Sequence, residues 1–215
     1  SGFNTAMFDI TPYLDKKNAE QELAMRVISQ FRGSDFDYND DWQPNGIFRD
    51  VTLMAVPKTH LKDLTINTRN DGTVDVKTEV ANGDKSTKIR HEILDAQGKV
   101  VSGERLMVSS PNLWTAETPY LYTLRTVLSQ KGKTLQTFEH KFGFRELTIA
   151  DGKILKLNGQ PFKLRGVNVH STDPKTGKVI NEASILRDMK MMKEASINYF
   201  RLSHYPREPR FYELA

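Results

Sequence analysis

Two short stretches hold most of the chemistry this sequence offers, "LRGVNVH" (Leu164 to His170) and "FRLSHYP" (Phe200 to Pro206). Each reads as an apolar strand with a histidine at or just beyond its end, His170 in the first and His204 in the second. An imidazole both donates and accepts hydrogen bonds near neutral pH. Two of them at one rim would suit the handling of a polar ligand; the plain alternative is a pair of loop histidines with hydrogen-bonded rings and no ligand. Arg201 is the third informative residue. In "INYFRLS" the alternation sends Phe200 and Leu202 to one face and Arg201 and Ser203 to the other. If that second face is the inside of a closed barrel, the guanidinium needs a carboxylate, because an unpaired buried cation costs several kcal/mol. The nearby acids, Asp173, Glu182, Glu208 and Glu213, lie in a loop or at helix starts and flanks, where solvation and the helix dipole account for them. The partner is therefore expected outside this sequence, unless Arg201 is an edge-strand arginine in water.

A third stretch, "DFDYNDDW" (Asp35 to Trp42), begins D-x-D-x-N as a calcium loop does. Its sixth position is Asp40 rather than Gly and its twelfth is Gly46 rather than Glu, so the helix-loop-helix calcium pattern fails. A solvated acidic loop is the default, and a carboxylate aimed at a sugar hydroxyl or a hard cation is the sharper reading. The chain has no cysteine, which removes disulfides, thiolate metal sites and a thiol nucleophile.

The elements that position the histidines follow from the pattern after residue 145. "KLRGVNV" is a strand, a polar loop follows, and Asn181 with Glu182 offers a helix start. In "EASILRDMKMMKEAS" the residues Ile185, Leu186, Met189 and Met192 fall at helical spacing, so they predict one apolar stripe. "INYFRLS" is the next strand and "REPRFYELA" begins another helix. This β-α-β order predicts parallel strands joined by a right-handed crossover, with both carboxyl ends at the same rim, where α/β sheets and barrels keep their binding sites.

Upstream, the pattern is β. "TVDVKTEV" places Val74, Val76 and Val80 on one face and Asp75, Lys77 and Glu79 on the other. Turn signals at "NDG", "NGD", "DAQG" and "QKGK" separate it from strands such as "LYTLRTVL" and "LQTFEHKF", which predicts an antiparallel sandwich over 58–145. Before it, "TAMFDITPYL" and "QELAMRVISQF" read as strands too few to close a core, the tail of a domain whose beginning lies elsewhere.

Charge argues against nucleic acid. The net charge is +4, yet residues 1–145 balance at 19 basic and 19 acidic, and the excess, 12 against 8, lies in 146–215, where the bases are dispersed and not interleaved with aromatics. No apolar run reaches the ~20 residues of a membrane span and the first residues lack signal-peptide features, so a soluble chain is expected, cytoplasmic or periplasmic.

Taken together, these residues resemble glycoside hydrolase family two, in particular its β-galactosidases. "GIFRDVTL" is similar to the end of that family's first sandwich, "LWTAETPYLYTL" to the middle of its immunoglobulin-like domain, and "LRGVNVH" with "FRLSHYP" to the first two strands of its catalytic barrel. The resemblance implies a mainly β chain: residues 1–57 as the last strands of a jelly-roll domain, 58–145 as an immunoglobulin-like β-sandwich, and 146–215 as the first two β/α units of a TIM barrel. It implies that Asp40 binds the galactosyl hydroxymethyl and a sodium ion, that His170 and His204 contact the sugar ring, and that Arg201 supports the nucleophile carboxylate. Ser171, where many relatives carry Glu or Asp, and Leu202, where they carry a small residue, depart from the family's pattern. The reaction implied is retaining hydrolysis of terminal β-galactosides by a longer enzyme, a homo-oligomer whose two catalytic glutamates come from later barrel strands. This chain alone is then inactive and carries no cofactor, Mg2+ and Na+ belonging to the longer enzyme. β-Glucuronidase and β-mannosidase share the architecture, and a non-catalytic sugar-binding or assembly module is the reading from another class.

Overall fold

The computed structural model describes residues 4–29, 46–103 and 105–215, and the chain divides into two compact units, Leu53–Lys163 and Ser1–Thr52 with Leu164–Ala215. In the first unit, β1 (His60–Thr68) pairs antiparallel with β2 (Val74–Ala81), and β3 (Thr87–Leu94), β4 (Tyr122–Gln130) and β5 (Lys133–Phe142) form an antiparallel sheet with β4 central. Both sheets contribute to one core, with Val74 from β2, Ile93 from β3, Tyr122 and Leu124 from β4, Phe142 at the end of β5 and Phe144 two residues beyond it. The alternation in β4 is complete: Tyr122, Leu124, Thr126 and Leu128 are buried and the residues between them are not. Phe144 stands edge-on to Tyr122 at 5.1 Å and to Phe142 at 5.5 Å, an arrangement that suits ring quadrupoles. Gly72 is required by the turn after β1. Its φ is +91°, and a Cβ there would lie 1.9 Å from the carbonyl oxygen of Val108, whose N–H donates to Gly72 O.

The same unit ends in a small antiparallel meander, β6 (Leu147–Ala150), β7 (Ile154–Leu157) and β8 (Gln160–Pro161). Its turns are Asp151-Gly152 and Asn158-Gly159, all four residues at positive φ, the preference of two-residue hairpins.

The described residues before 58 form no strand ladder. They run extended and exposed, with a single 3-10 turn at Thr11–Tyr13, where Pro12 fits the first turn and the Asp9 carboxylate accepts from Thr11 N–H at 2.9 Å. Met7, Phe8, Leu23, Val27 and Leu53 are each more than half exposed. Among the described residues the strands expected here find no partner strand, and without a partner an extended segment gains neither ladder bonds nor a covered face.

In the second unit, β9 (Gly166–Val169) and β10 (Tyr199–Leu202) pair in parallel, joined by α1 (Glu182–Glu194) and followed by α2 (Pro209–Leu214). Asn181 caps α1, its side-chain oxygen accepting from Ser184 N–H at 2.9 Å. The apolar face of α1 centres on Ile185, 4% exposed, with Met189 and Met192 partly covered; Leu186, expected in that stripe, is 46% exposed. The face turns by one residue because Ser184 is drawn inward, its hydroxyl donating to the Asp173 carboxylate at 2.9 Å. Asp173 organises the β9–α1 loop. It is 6% exposed, pairs with Gly177 across a tight bridge, and accepts from the N–H groups of Lys175 and Thr176. It is therefore a buried organising group rather than the solvated loop acid the sequence suggested. The Lys175 N–H, the Ser184 hydroxyl, the Thr176 N–H and the charge of Arg187 together hold its carboxyl at about 2, against an ordinary 3.8.

Two stability outcomes follow. Leu124→Ala, at a fully buried position, should destabilise the chain by about 2–5 kcal/mol, whereas Leu147→Ala on the exposed meander should stay within about 0.5 kcal/mol; chemical denaturation followed by circular dichroism distinguishes them. Because the folded carboxyl of Asp173 lies below its unfolded value, its contribution is present above pH 3.8 and lost as pH falls through about 2. Thermal midpoints of the unaltered chain and Asp173→Asn should therefore differ at neutral pH and converge near pH 2, and a gap that persists there would refute the assignment.

Candidate functional site

The site is built at the carboxyl ends of β9 and β10. Their register pairs Tyr199 with Gly166, Phe200 with Val167, Arg201 with Asn168 and Leu202 with Val169. Gly166 permits this approach: a Cβ there would lie 2.4 Å from the Tyr199 ring and 2.9 Å from its carbonyl oxygen. The ladder continues one residue further, Ser203 N–H donating to Val169 O at 3.1 Å. The strands thus end level, and the next residues of each share one rim.

That level ending brings the two histidines together. The rings of His170 and His204 lie 5.6 Å apart at 88°; His170 is partly buried and His204 exposed. Tyr205 supports them from below. Its ring is 6.1 Å from His170, and its hydroxyl accepts from Ser171 N–H at 2.8 Å and from the Lys178 ammonium at 3.3 Å. Lys178 itself is buried and lies over the Tyr205 ring at 5.4 Å, so a cation sits behind the histidine pair, held by a phenol. The Ser203–His204 peptide is cis.

Arg201 occupies the face opposite Phe200 and Leu202, as the alternation requires; it is exposed while they are partly buried. Its Nη1 makes long contacts to Asn168 Oδ1 at 3.4 Å and Ser203 Oγ at 3.5 Å. Among the described residues it has no carboxylate partner. Of the acids near it in sequence, Asp173 is engaged in its loop, and Glu182 and Glu213 are paired with Arg210. Phe200 packs instead on Phe211 of α2, edge-on at 5.2 Å.

Asp40, the expected sodium and hydroxymethyl ligand, lies outside the described residues. Among the described residues no group of three or more His, Asp or Glu side chains is placed to hold a metal ion, and no helix is long and apolar enough to cross a membrane. Three site residues escaped the sequence reading: Asn168, Lys178 and Tyr205. Asn168 had a legible signal, since it pairs with Arg201 once the parallel register is drawn. The burial of Lys178 depends on a loop conformation that no periodicity encodes. Chemically, the rim offers two imidazoles that donate or accept hydrogen bonds, with an exposed guanidinium on the same strand end, an arrangement suited to a polyhydroxylated ligand.

Residues 59–145 match the family model described as glycosyl hydrolases family 2, and residues 147–215 match that of the glycosyl hydrolases family 2 TIM barrel domain. A β-galactosidase of Leuconostoc mesenteroides is 37% identical over 97% of this chain and 22% of its own length. A β-galactosidase of Vibrio cholerae is 35% identical over 97% of the chain and 23% of its own. Among solved structures, a β-glucuronidase from Ruminococcus gnavus has a TM-score of 0.68 at 28% identity, over 75% of this chain and 28% of that one. The chain thus spans less than a quarter of the curated relatives it matches. With consecutive matches over most of its length, it belongs to glycosyl hydrolases family 2.

Proposed function

We propose that this chain is a section of a retaining β-galactosidase: residues 1–57 from the end of a jelly-roll domain, 58–145 an immunoglobulin-like sandwich, and 146–215 the opening of the catalytic barrel. The observation that carries the reading is the pair of histidine rings, 5.6 Å apart, at the level ends of parallel β9 and β10. In this reading His170 and His204 orient the hydroxyls of the sugar ring. Arg201 turns its guanidinium toward the nucleophile carboxylate, which together with the general acid comes from later strands of the barrel. Retaining hydrolysis places those two carboxyls about 5–5.5 Å apart; the first forms the glycosyl-enzyme bond and the second protonates the departing oxygen, then activates water. The substrate is a terminal β-galactoside, as the names of the similar curated proteins support. Asp40 is assigned to the galactosyl hydroxymethyl and a sodium ion by the family resemblance alone.

The second reading is a β-glucuronidase. It is favoured by the likeness of the fold to solved β-glucuronidases, among them the Ruminococcus gnavus enzyme at 28% identity. The two readings separate on substrate, since a glucuronide carries a carboxylate where a galactoside carries a hydroxymethyl.

The test compares nitrophenyl β-galactoside and nitrophenyl β-glucuronide with the full-length protein. Galactoside turnover well above glucuronide is expected, and the reverse preference would replace the first reading with the second. Arg201→Ala should lower kcat by on the order of 100-fold, because the nucleophile loses the cation that places it. His204→Ala should lower kcat/KM roughly tenfold or more by removing sugar contacts. The 215-residue chain alone should show no turnover; hydrolysis that survives repurification would mean that one of its own carboxylates is catalytic.

A further inference from the structure

Arg207 lies three residues beyond His204, in the loop between β10 and α2, and the mechanism above gives it no part. It is 7% exposed. Its guanidinium lies over the Phe211 ring at 4.7 Å, and its own N–H donates to the Tyr212 hydroxyl at 3.1 Å, so α2 fixes both backbone and side chain. Nε and Nη1 are buried with no hydrogen-bond partner among the described residues. The charge of the adjacent Glu208 acts favourably on it, but the two form no hydrogen-bonded ion pair, and the Oε1 of Glu208 is itself buried without a hydrogen-bond partner. A second guanidinium lies close by: Arg49 Nη2 donates to Pro206 O at 2.7 Å and adds to the positive field at Arg207. Arg207 also borders a cavity of about 20 Å3, room for about one water, which lies against α1 and is lined by His170, Ile185, Met189, Phe200 and Phe211. Burial pushes its guanidinium down from its ordinary value, yet an arginine remains a cation under any ordinary condition.

A buried cation with unused donors is costly and is not retained cheaply without an anion. We propose that Arg207 is a carboxylate-binding residue behind His170, paired in the working protein with a carboxylate from another part of the protein, a substrate carboxylate being the other source the test distinguishes. Its buried charge, its fixed stacking on Phe211 and the like charge of Arg49 favour an anion over a neutral hydroxyl. Its place, bordering the same cavity as His170 on the side covered by α1 and Phe211, sets that anion behind the histidine pair and favours the protein as its source. Only the substrate source rests on the glycosidase reading; the protein source does not.

The experiment uses the full-length protein with Arg207→Met, which keeps the apolar packing on Phe211 and removes the charge, and Arg207→Lys, which keeps the charge. Thermal midpoints are measured without ligand, then affinities for galactose and galacturonate, which differ by one carboxylate. If the protein supplies the carboxylate, Arg207→Met lowers the ligand-free midpoint by several degrees, or prevents folding, and Arg207→Lys recovers part of the loss. If the substrate supplies it, the ligand-free midpoint of Arg207→Met is unchanged or raised. The unaltered protein then prefers galacturonate, and Arg207→Met weakens galacturonate roughly tenfold to a hundredfold while leaving galactose unaffected. A ligand-free midpoint that does not fall, with no loss of galacturonate preference, overturns the proposal. So does a loss that Arg207→Lys fails to recover at all, since shape rather than charge would then explain it. A protein that binds neither sugar counts against the glycosidase reading, while the ligand-free comparison still decides whether Arg207 has a counter-ion.

Discussion

Everything at the candidate site depends on the parallel pairing of β9 with β10 and on its register. Four residue pairs, from Tyr199 with Gly166 to Leu202 with Val169, bring two strand ends level that lie more than 30 residues apart in sequence. Shift that register by one residue and every side chain of β10 changes face: Arg201 would turn toward α1, and Phe200 would lose Phe211. The register is held by a backbone approach that only glycine at 166 allows and by an apolar layer of Phe200, Ile185 and Phe211 on one side. So short a parallel pair has few bonds of its own, and the helices that cover it, one of them the crossover, give it a defined position. Function and packing are thus divided between the two faces of one four-residue strand.

The loops above that strand pair are organised by polar groups rather than by a hydrophobic core. Asp173 collects two backbone N–H groups and the Ser184 hydroxyl, which closes the β9–α1 loop and draws the start of α1 inward. Tyr205, from the neighbouring loop, takes the N–H of Ser171 and the ammonium of Lys178. Each of these bonds links residues separated by at least two positions, and two of them link residues 27 and 34 apart. The result is a rim in which backbone donors are satisfied by side chains whose positions are themselves fixed, as a binding site needs if it is not to reorganise around its ligand.

Much of this was legible in the sequence where the signal is local. The alternation of Val74, Val76 and Val80 yields β2, Asn181 yields the helix cap, and the change from strand to helix to strand yields the parallel pair and hence the convergence of His170 with His204. The core of the sandwich is centred on Tyr122, Phe142 and Phe144; Trp114 and Tyr120, conspicuous in the sequence, lie at its margin. The meander β6–β8 escaped the sequence reading: its strands are too short for periodicity to reveal, and only the turn pairs Asp151-Gly152 and Asn158-Gly159 mark it. What was not legible is set by long-range bonding. Leu186 fits the helical stripe and is exposed, because Ser184, a polar residue, takes the inward place through Asp173. The burial of Lys178 and Arg207 likewise depends on rings brought from other elements, Tyr205 and Phe211.

The two positions at which this chain departs from the family pattern differ in consequence, and the geometry explains why. Leu202 shares its strand face with Phe200, opposite Arg201, so a larger side chain there is accommodated in the layer against the helices and does not reach the side on which a ligand would lie. Its size is a matter of packing, where one extra methylene or more is felt as stability. Ser171 is different. It is 3% exposed and directly follows His170, and its N–H is committed to the Tyr205 hydroxyl. A carboxylate at that position would bring a negative charge next to the first histidine and within the loop that buries Lys178, whereas serine brings none. The positive character there, carried by Lys178 and Arg201, is correspondingly less offset by its own loop. Of the two departures, the one at 171 alters the field at the site, and the one at 202 alters only what lies behind it.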